Sequence, residues 1–139
     1  MVEFQVIHPQ LQLLLMPEKR ILVIDDEINL CTVIQACLEN LGGWETLTAL
    51  SGKEGLAIAQ TQQLDAILLD VMMPDMDGLT LFEKLQNDST TQAIPVILFT
   101  AKVQSTDIAQ FAKLGVAGVI AKPFDPLTLA EQVASMLGW

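Results

Sequence analysis

Five polar residues hold equivalent places along the chain, each closing a short apolar run. Asp25 and Asp26 follow Ile21-Leu-Val-Ile24, and Asp70 follows Ala66-Ile-Leu-Leu69. Thr100 follows Ile94-Pro-Val-Ile-Leu-Phe99, and Lys122 follows the run from Ala117 to Ala121. Taken singly, each has a plainer reading: a helix N-cap or turn opener for an aspartate, a strand-end cap for the threonine, a solvated cation for the lysine. Taken together, they put three carboxylates, one hydroxyl and one ammonium at the same end of successive runs. Three negative charges and one positive sum to −2, and such a cluster cannot stay ionised without a counter-ion. All-oxygen donors without clustered His or Cys select a hard divalent ion such as Mg²⁺. A carboxylate in that setting can act as a nucleophile and form an aspartyl phosphate, because phosphoryl transfer needs mainly positioning and charge neutralisation. Asp70 stands alone and is the natural nucleophile, leaving Asp25 and Asp26 for the metal and Thr100 and Lys122 for phosphoryl oxygens.

Bringing these residues to one place requires elements of the right kind between them. From Arg20 onward, short apolar runs alternate with amphipathic stretches. Ile28, Val33, Ile34, Leu38 and Leu41 recur at helical intervals until Gly42-Gly43. Trp44 to Leu50 reads as a weaker strand, and Ser51-Gly-Lys-Glu54 has the capping-box spacing that opens a second helix through about Gln62. Val71 to Gly78 is a loop, Leu79 to Gln86 a third helix, and Ser105 to Leu114 a fourth that Gly115 ends. Asp125 as N-cap with Pro126 in the first turn opens the last helix, which ends near Leu137. Five strands alternating with five helices, three of the strands continuously apolar, predict an α/β fold: a doubly wound five-stranded parallel sheet covered on both faces. Ligands of such sheets bind outside the carboxyl ends of the strands, where all five polar residues fall.

Composition narrows the partners. The 139 residues make one domain, 51% apolar and only 17% charged, with a formal charge of −10. That charge excludes direct nucleic-acid binding and an anionic membrane surface as the expected tasks. No apolar run reaches the roughly 18 residues of a membrane span, and the N-terminus lacks a basic region and a cleavage site. Cys31 and Cys37 fall in one helix with their Cα atoms about 9 Å apart, beyond disulfide reach; a reducing cytoplasm fits them. Residues 1–17 stand outside the strand–helix pattern as an accessory segment, and 18–139 form the domain. His8 reads as a surface residue, Trp44 and Trp139 as packing groups.

From about Arg20 to Leu137 the sequence resembles the receiver domain of two-component response regulators. The motifs that carry the resemblance are Ile21-Leu-Val-Ile-Asp-Asp-Glu27, Leu68-Leu-Asp-Val-Met-Met-Pro-Asp-Met-Asp-Gly78, Phe99-Thr-Ala101 and Ala121-Lys-Pro-Phe124. The resemblance implies a flavodoxin-like strand order 2-1-3-4-5. It implies Asp70 as phosphoacceptor, with Asp25, Asp26, Asp70 and the Met72 backbone carbonyl around Mg²⁺. Thr100, Ala101 and Lys122 would form the phosphoryl-binding and switch set, with a cis bond before Pro123. The phosphodonor would be a sensor histidine kinase or a phosphotransfer protein. The downstream protein would meet the face made by the fourth helix, fifth strand and fifth helix. The chain itself would be a phosphoacceptor, not an enzyme, and with Trp139 as its last residue it is expected to act as a stand-alone receiver.

Two features depart from that pattern or tune it. Val119 stands where the family carries Tyr or Phe, so coupling between Thr100 and an inward-swinging aromatic is unavailable. Met72 and Lys102 flank the path of attacking water in the family and are the expected tuners of phosphate lifetime. Three rival classes fit less well. A haloacid-dehalogenase-like phosphatase needs a second aspartate at position 72, which is Met. An FMN binder needs a hydroxyl-rich loop where Asp25-Asp26-Glu27 would repel phosphate. A pseudo-receiver that is never phosphorylated would not need the acidic set, although Val119 suits it.

Overall fold

The computed structural model describes residues 19–101 and 105–139. The accessory segment expected over 1–17 and the tuning residue Lys102 lie outside the described residues. The elements run β1 (Arg20–Ile24), α1 (Ile28–Asn40), β2 (Glu45–Ala49), α2 (Gly52–Thr61), β3 (Ala66–Asp70), α3 (Gly78–Gln86), β4 (Val96–Thr100), α4 (Ser105–Ala112), β5 (Gly118–Ala121) and α5 (Leu129–Leu137). All strand pairs are parallel, in the order β2-β1-β3-β4-β5. This is the doubly wound parallel sheet that the alternation of runs predicts, in the flavodoxin-like order that the resemblance implies.

The central strands are apolar throughout because both faces of the sheet are covered. Side chains alternate between faces along a strand, and here each parity has its own core. Ile21, Val23, Leu68, Ile97, Phe99 and Ile120 pack with α1 and α5 residues such as Ile34, Leu38, Leu129 and Val133. Leu22, Ile24, Ile67, Leu69 and Leu98 pack on the other side with Leu81, Phe82, Leu85 and Phe111. The alternation extends past the strand ends. Asp25 is in phase with Ile21 and Val23, Asp70 with Leu68, and Lys122 with Ile120, so all three incline toward one layer. A slip of one residue in any of these strands would send its charge to the opposite face.

The elements match the expected ones to within two residues, with one larger difference. The last helix starts at Leu129 rather than after Asp125. The Asp125 carboxylate accepts from the Leu127 amide at 2.9 Å, and its carbonyl accepts from the amides of Thr128 and Leu129. Asp125 therefore organises a separate turn ahead of the helix, a local alternative that aspartate offers as readily as an N-cap. Leu127 at the tip of that turn is 78% exposed, whereas Leu129 and Phe111 are buried in the core.

At the amino-terminal end of the sheet, Trp44 and Trp139 meet edge to face with ring centroids 5.1 Å apart, and the Lys19 ammonium lies 5.1 Å from the Trp139 ring. Among the described residues no helix is long and apolar enough to cross a membrane.

Candidate functional site

The carboxyl ends of β1, β3 and β5 bring Asp25, Asp70 and Lys122 into contact. Asp25 and Asp70 are buried, and Asp26 beside them is exposed. One carboxylate oxygen from each of Asp25, Asp26 and Asp70 can be chosen so that all three lie within 4.8 Å of one another. The Lys122 Nζ donates to Asp25 Oδ2 at 2.9 Å and sits 3.3 Å from Asp70 Oδ1. Its position also lies 5.1 Å from the centroid of the Phe99 ring, so the ammonium is bounded by two anions and an aromatic face. The backbone orients both acids. The Glu27 amide donates to Asp25 Oδ1 at 2.9 Å, and the Met72 amide donates to Asp70 Oδ1 at 3.3 Å.

Electrostatics follow from this crowding. Burial, reinforced by the negative charge of Asp25, pushes the Asp70 carboxyl up to about 6. Burial alone would depress the Lys122 ammonium; its hydrogen bond to Asp25 and the charges of Asp25 and Asp70 outweigh that and hold it above its ordinary value. The site thus has a carboxylate that resists ionisation and a cation that cannot be lost near neutral pH. An additional positive charge between the acids would relieve the strain on Asp70. The donor set, carboxylates only with no nitrogen or sulfur ligand among the clustered groups, suits a hard divalent ion.

Thr100 ends β4, fully buried, and its carbonyl accepts from the Lys122 amide at 2.8 Å. Ala101 follows it at the surface. The Lys122–Pro123 peptide is cis. Val119 faces the second core layer, partly buried, and pairs with Leu98 in the register of β4 and β5. The loop after Asp70 closes tightly: the Gly78 amide donates to the Val71 carbonyl at 2.9 Å, and a Cβ on Gly78 would fall 2.3 Å from the Asp70 carbonyl oxygen. Only glycine fits there. Met72 projects from this loop, 58% exposed, into an open cleft of about 390 Å³ lined by Val71, Met72, Met73, Pro74 and Asp77.

Residues 21–134 match the family model of the response regulator receiver domain. The chain belongs to that family. Among curated relatives, the receiver is 35% identical over 118 residues to Protein PilH of Pseudomonas aeruginosa, covering 85% of this chain and 97% of PilH. It is 41% identical over 117 residues to Response regulator PleD of Caulobacter vibrioides, covering 84% of this chain and 26% of PleD. It spans about half the length of other relatives, among them the transcriptional regulatory protein PhoP of Bacillus subtilis, at 35% identity. The solved structure of chemotaxis response regulator CheY4 of Vibrio cholerae superposes with a TM-score of 0.79 at 28% identity, over 86% of this receiver and 98% of CheY4. The receiver domain of a Pseudomonas aeruginosa sensor histidine kinase, described with a magnesium ion coordinated in its active-site cleft, superposes at 0.77 with 27% identity, over 88% and 99% of the two chains.

Two contacts at the site carry no local signal in the sequence. The Cys31 thiol donates to the Asp25 carbonyl at 3.3 Å. Burial pushes that thiol up to about 11, so it stays protonated as a donor. Asp75, in the loop after Asp70, reaches the start of α2.

Proposed function

We propose that this receiver accepts a phosphoryl group on Asp70 from a phosphohistidine of a sensor histidine kinase or phosphotransfer protein, and signals through a phosphorylation-dependent protein contact. The observation that carries the reading is the Lys122 ammonium held between two buried aspartates, 2.9 Å from Asp25 and 3.3 Å from Asp70. Asp25, Asp26, Asp70 and the Met72 carbonyl would hold Mg²⁺, which when bound supplies two positive charges to the acids and to the phosphoryl oxygens.

The chain's own residues account for the rest. An Asp70 carboxylate oxygen attacks phosphorus, a new P–O bond forms, and the P–N bond to the donor imidazole breaks with its electron pair returning to the ring nitrogen. Lys122 is already placed to pair with an oxygen of the group arriving on Asp70. Thr100, with Ala101 next to it, stands at the adjoining strand end to take another. The receiver thus assists its own phosphorylation without being an enzyme. A net charge of −10 favours a protein over a nucleic acid as partner, and two free buried thiols suit a reducing cytoplasm. Output by protein contact would use the face of α4, β5 and α5, the proposed surface. With Val119 in β5, movement at Thr100 must reach that face without an aromatic relay.

Incubation with acetyl phosphate and Mg²⁺ followed by intact mass measurement tests this. One phosphoryl adduct is expected, absent with chelator and absent in Asp70→Asn. An adduct that persists in Asp70→Asn would refute the assignment, and none in the wild type would favour a pseudo-receiver. Met72 supplies a second expectation. Its exposed apolar side chain stands two residues past Asp70, whose carboxylate its backbone amide touches, and should hinder an incoming water. Met72→Asn, which can hold and orient water, should therefore lose phosphate faster than the wild type in a time course of the adduct. Equal decay would make Met72 a loop residue with no part in lifetime.

A further inference from the structure

The loop from Val71 to Asp77 is fastened at several points. The Val71 amide donates to the Phe99 carbonyl at 3.2 Å, and the Gly78 amide closes the base on Val71. Asp77 Oδ1 accepts from the Leu79 amide at 2.8 Å and caps α3. Met73 is buried in the core layer beneath the loop, and Met76 packs partly against it. The remaining fastening crosses to another element. Asp75 Oδ1 accepts from the Gly52 amide at 3.1 Å and Oδ2 from the Lys53 amide at 3.3 Å. These are the first two amides of α2, and Ser51 Oγ takes the third, from Glu54, at 3.1 Å. The contact is close-fitting, because a Cβ on Gly52 would fall 2.8 Å from the Met76 Cβ. A helix amino-terminus favours a carboxylate, and the hydrogen bonds, led by that from Gly52, hold Asp75 below the usual carboxylate range.

We propose that Asp75 is a positioning residue: by seating the loop on the first turn of α2, it fixes the Met72 backbone relative to Asp70. The geometry is direct. Met72 lies between Asp70, whose carboxylate its amide touches, and the anchored stretch from Asp75 to Gly78. Without the Asp75 contact, the stretch between Met73 and the α3 cap loses its lateral tie, and with it the support that keeps Met73, and so its neighbour Met72, in place beside the acids. Coupling runs both ways by linkage: an ion bound at Asp25, Asp26, Asp70 and Met72 steadies the loop, and so steadies the amides of Gly52 and Lys53. This inference rests on the metal reading of the site proposed above.

The test compares wild type, Asp75→Asn, Asp75→Ala and Ser51→Ala, with Mg²⁺ affinity from calorimetry and exchange of the Gly52 and Lys53 amides from NMR. Asp75→Asn retains one acceptor oxygen and guards against a failure of Asp75→Ala to fold. In the wild type, Mg²⁺ is expected to slow exchange at both amides. Both Asp75 variants should bind Mg²⁺ about tenfold more weakly, the lower end of what loss of a supporting contact costs a metal site, and should lose the effect of Mg²⁺ on those amides. Ser51→Ala weakens the same helix start without touching the loop and should bind as the wild type does. Wild-type affinity in the Asp75 variants would overturn the proposal. So would an equal loss in Ser51→Ala, which would reduce the effect to helix stability. A wild type that takes no Mg²⁺ at all would overturn the metal reading of the site and this inference with it.

Discussion

Lys122→Met is expected to lower the unfolding free energy of the metal-free protein by about 3 kcal/mol at pH 8, the scale of breaking a buried ion pair by removing one partner. Methionine keeps the unbranched stem against Phe99, so packing loss is small and the effect is electrostatic. It removes the cation that lies 2.9 Å from Asp25 and 3.3 Å from Asp70, and leaves two anions facing each other in the interior. The pH dependence separates this from simple destabilisation. Lys122 is raised in the folded state, so its own contribution is constant below about pH 10. The variation comes from the carboxylates left without their cation, Asp70 among them, whose folded value is already about 6 and rises further without Lys122. A raised carboxyl penalises the folded state only once pH exceeds its unfolded value, so the deficit should shrink towards pH 4. Denaturant titrations at pH 4, 6 and 8 would show it. Saturating Mg²⁺ at pH 8 should return part of the loss by mass action. A deficit that is the same at all three pH values would mean that Lys122 supports the fold by packing alone.

Asp70→Asn should move stability the other way. In the wild type the Asp70 carboxyl rises from 3.8 unfolded to about 6 folded. Ionising it in place therefore costs the folded protein about 2 to 3 kcal/mol above pH 6, at about 1.4 kcal/mol per pH unit. The sign is fixed: the cost is absent below pH 3.8, grows between 3.8 and 6, and is complete above 6. Asparagine has no charge to desolvate and still offers an oxygen to Lys122 and the Met72 amide. The variant should gain about 2 kcal/mol over the wild type at pH 7.5 in the absence of metal, and little at pH 4. Adding Mg²⁺ should narrow the gap, because the wild type keeps one more carboxylate for the ion. Equal stability of the two proteins at pH 7.5 would show that Asp70 is not strained where it stands.

Much of the fold was legible because both faces of the sheet are covered. Ile21–Ile24 and Ala66–Leu69 are apolar at every position, which marks central parallel strands without reference to periodicity. β2 was fainter, since it lies at the edge and carries Glu45, Thr46 and Thr48 among its five residues. The start of α5 was misplaced because Asp125-Pro126 reads equally as a helix opening and as a turn, and only the bonds to Leu127, Thr128 and Leu129 decide between them. At the site, the strand-end residues were legible as a set, but their pairing was not. Lys122 chooses Asp25 across 97 positions, and Asp75 reaches α2 across 22 and 23. Contacts of that span depend on the order in which strands lie side by side, which no local pattern encodes. The Cys31 thiol on the Asp25 carbonyl was hidden for the opposite reason. A small apolar residue in a helix looks the same whether or not its hydrogen finds an acceptor.

The paired indoles at the foot of the sheet have a practical corollary for anyone watching this protein in a cuvette. The chain has two tryptophans and no tyrosine, and both rings sit one strand length, about 16 Å, from the acidic rim. Intrinsic tryptophan emission therefore comes from the base of the sheet and should report its melting, while a titration at the rim passes beneath its notice. A dye at the solvent-facing tip of the turn at Leu127 would give that rim an optical voice of its own.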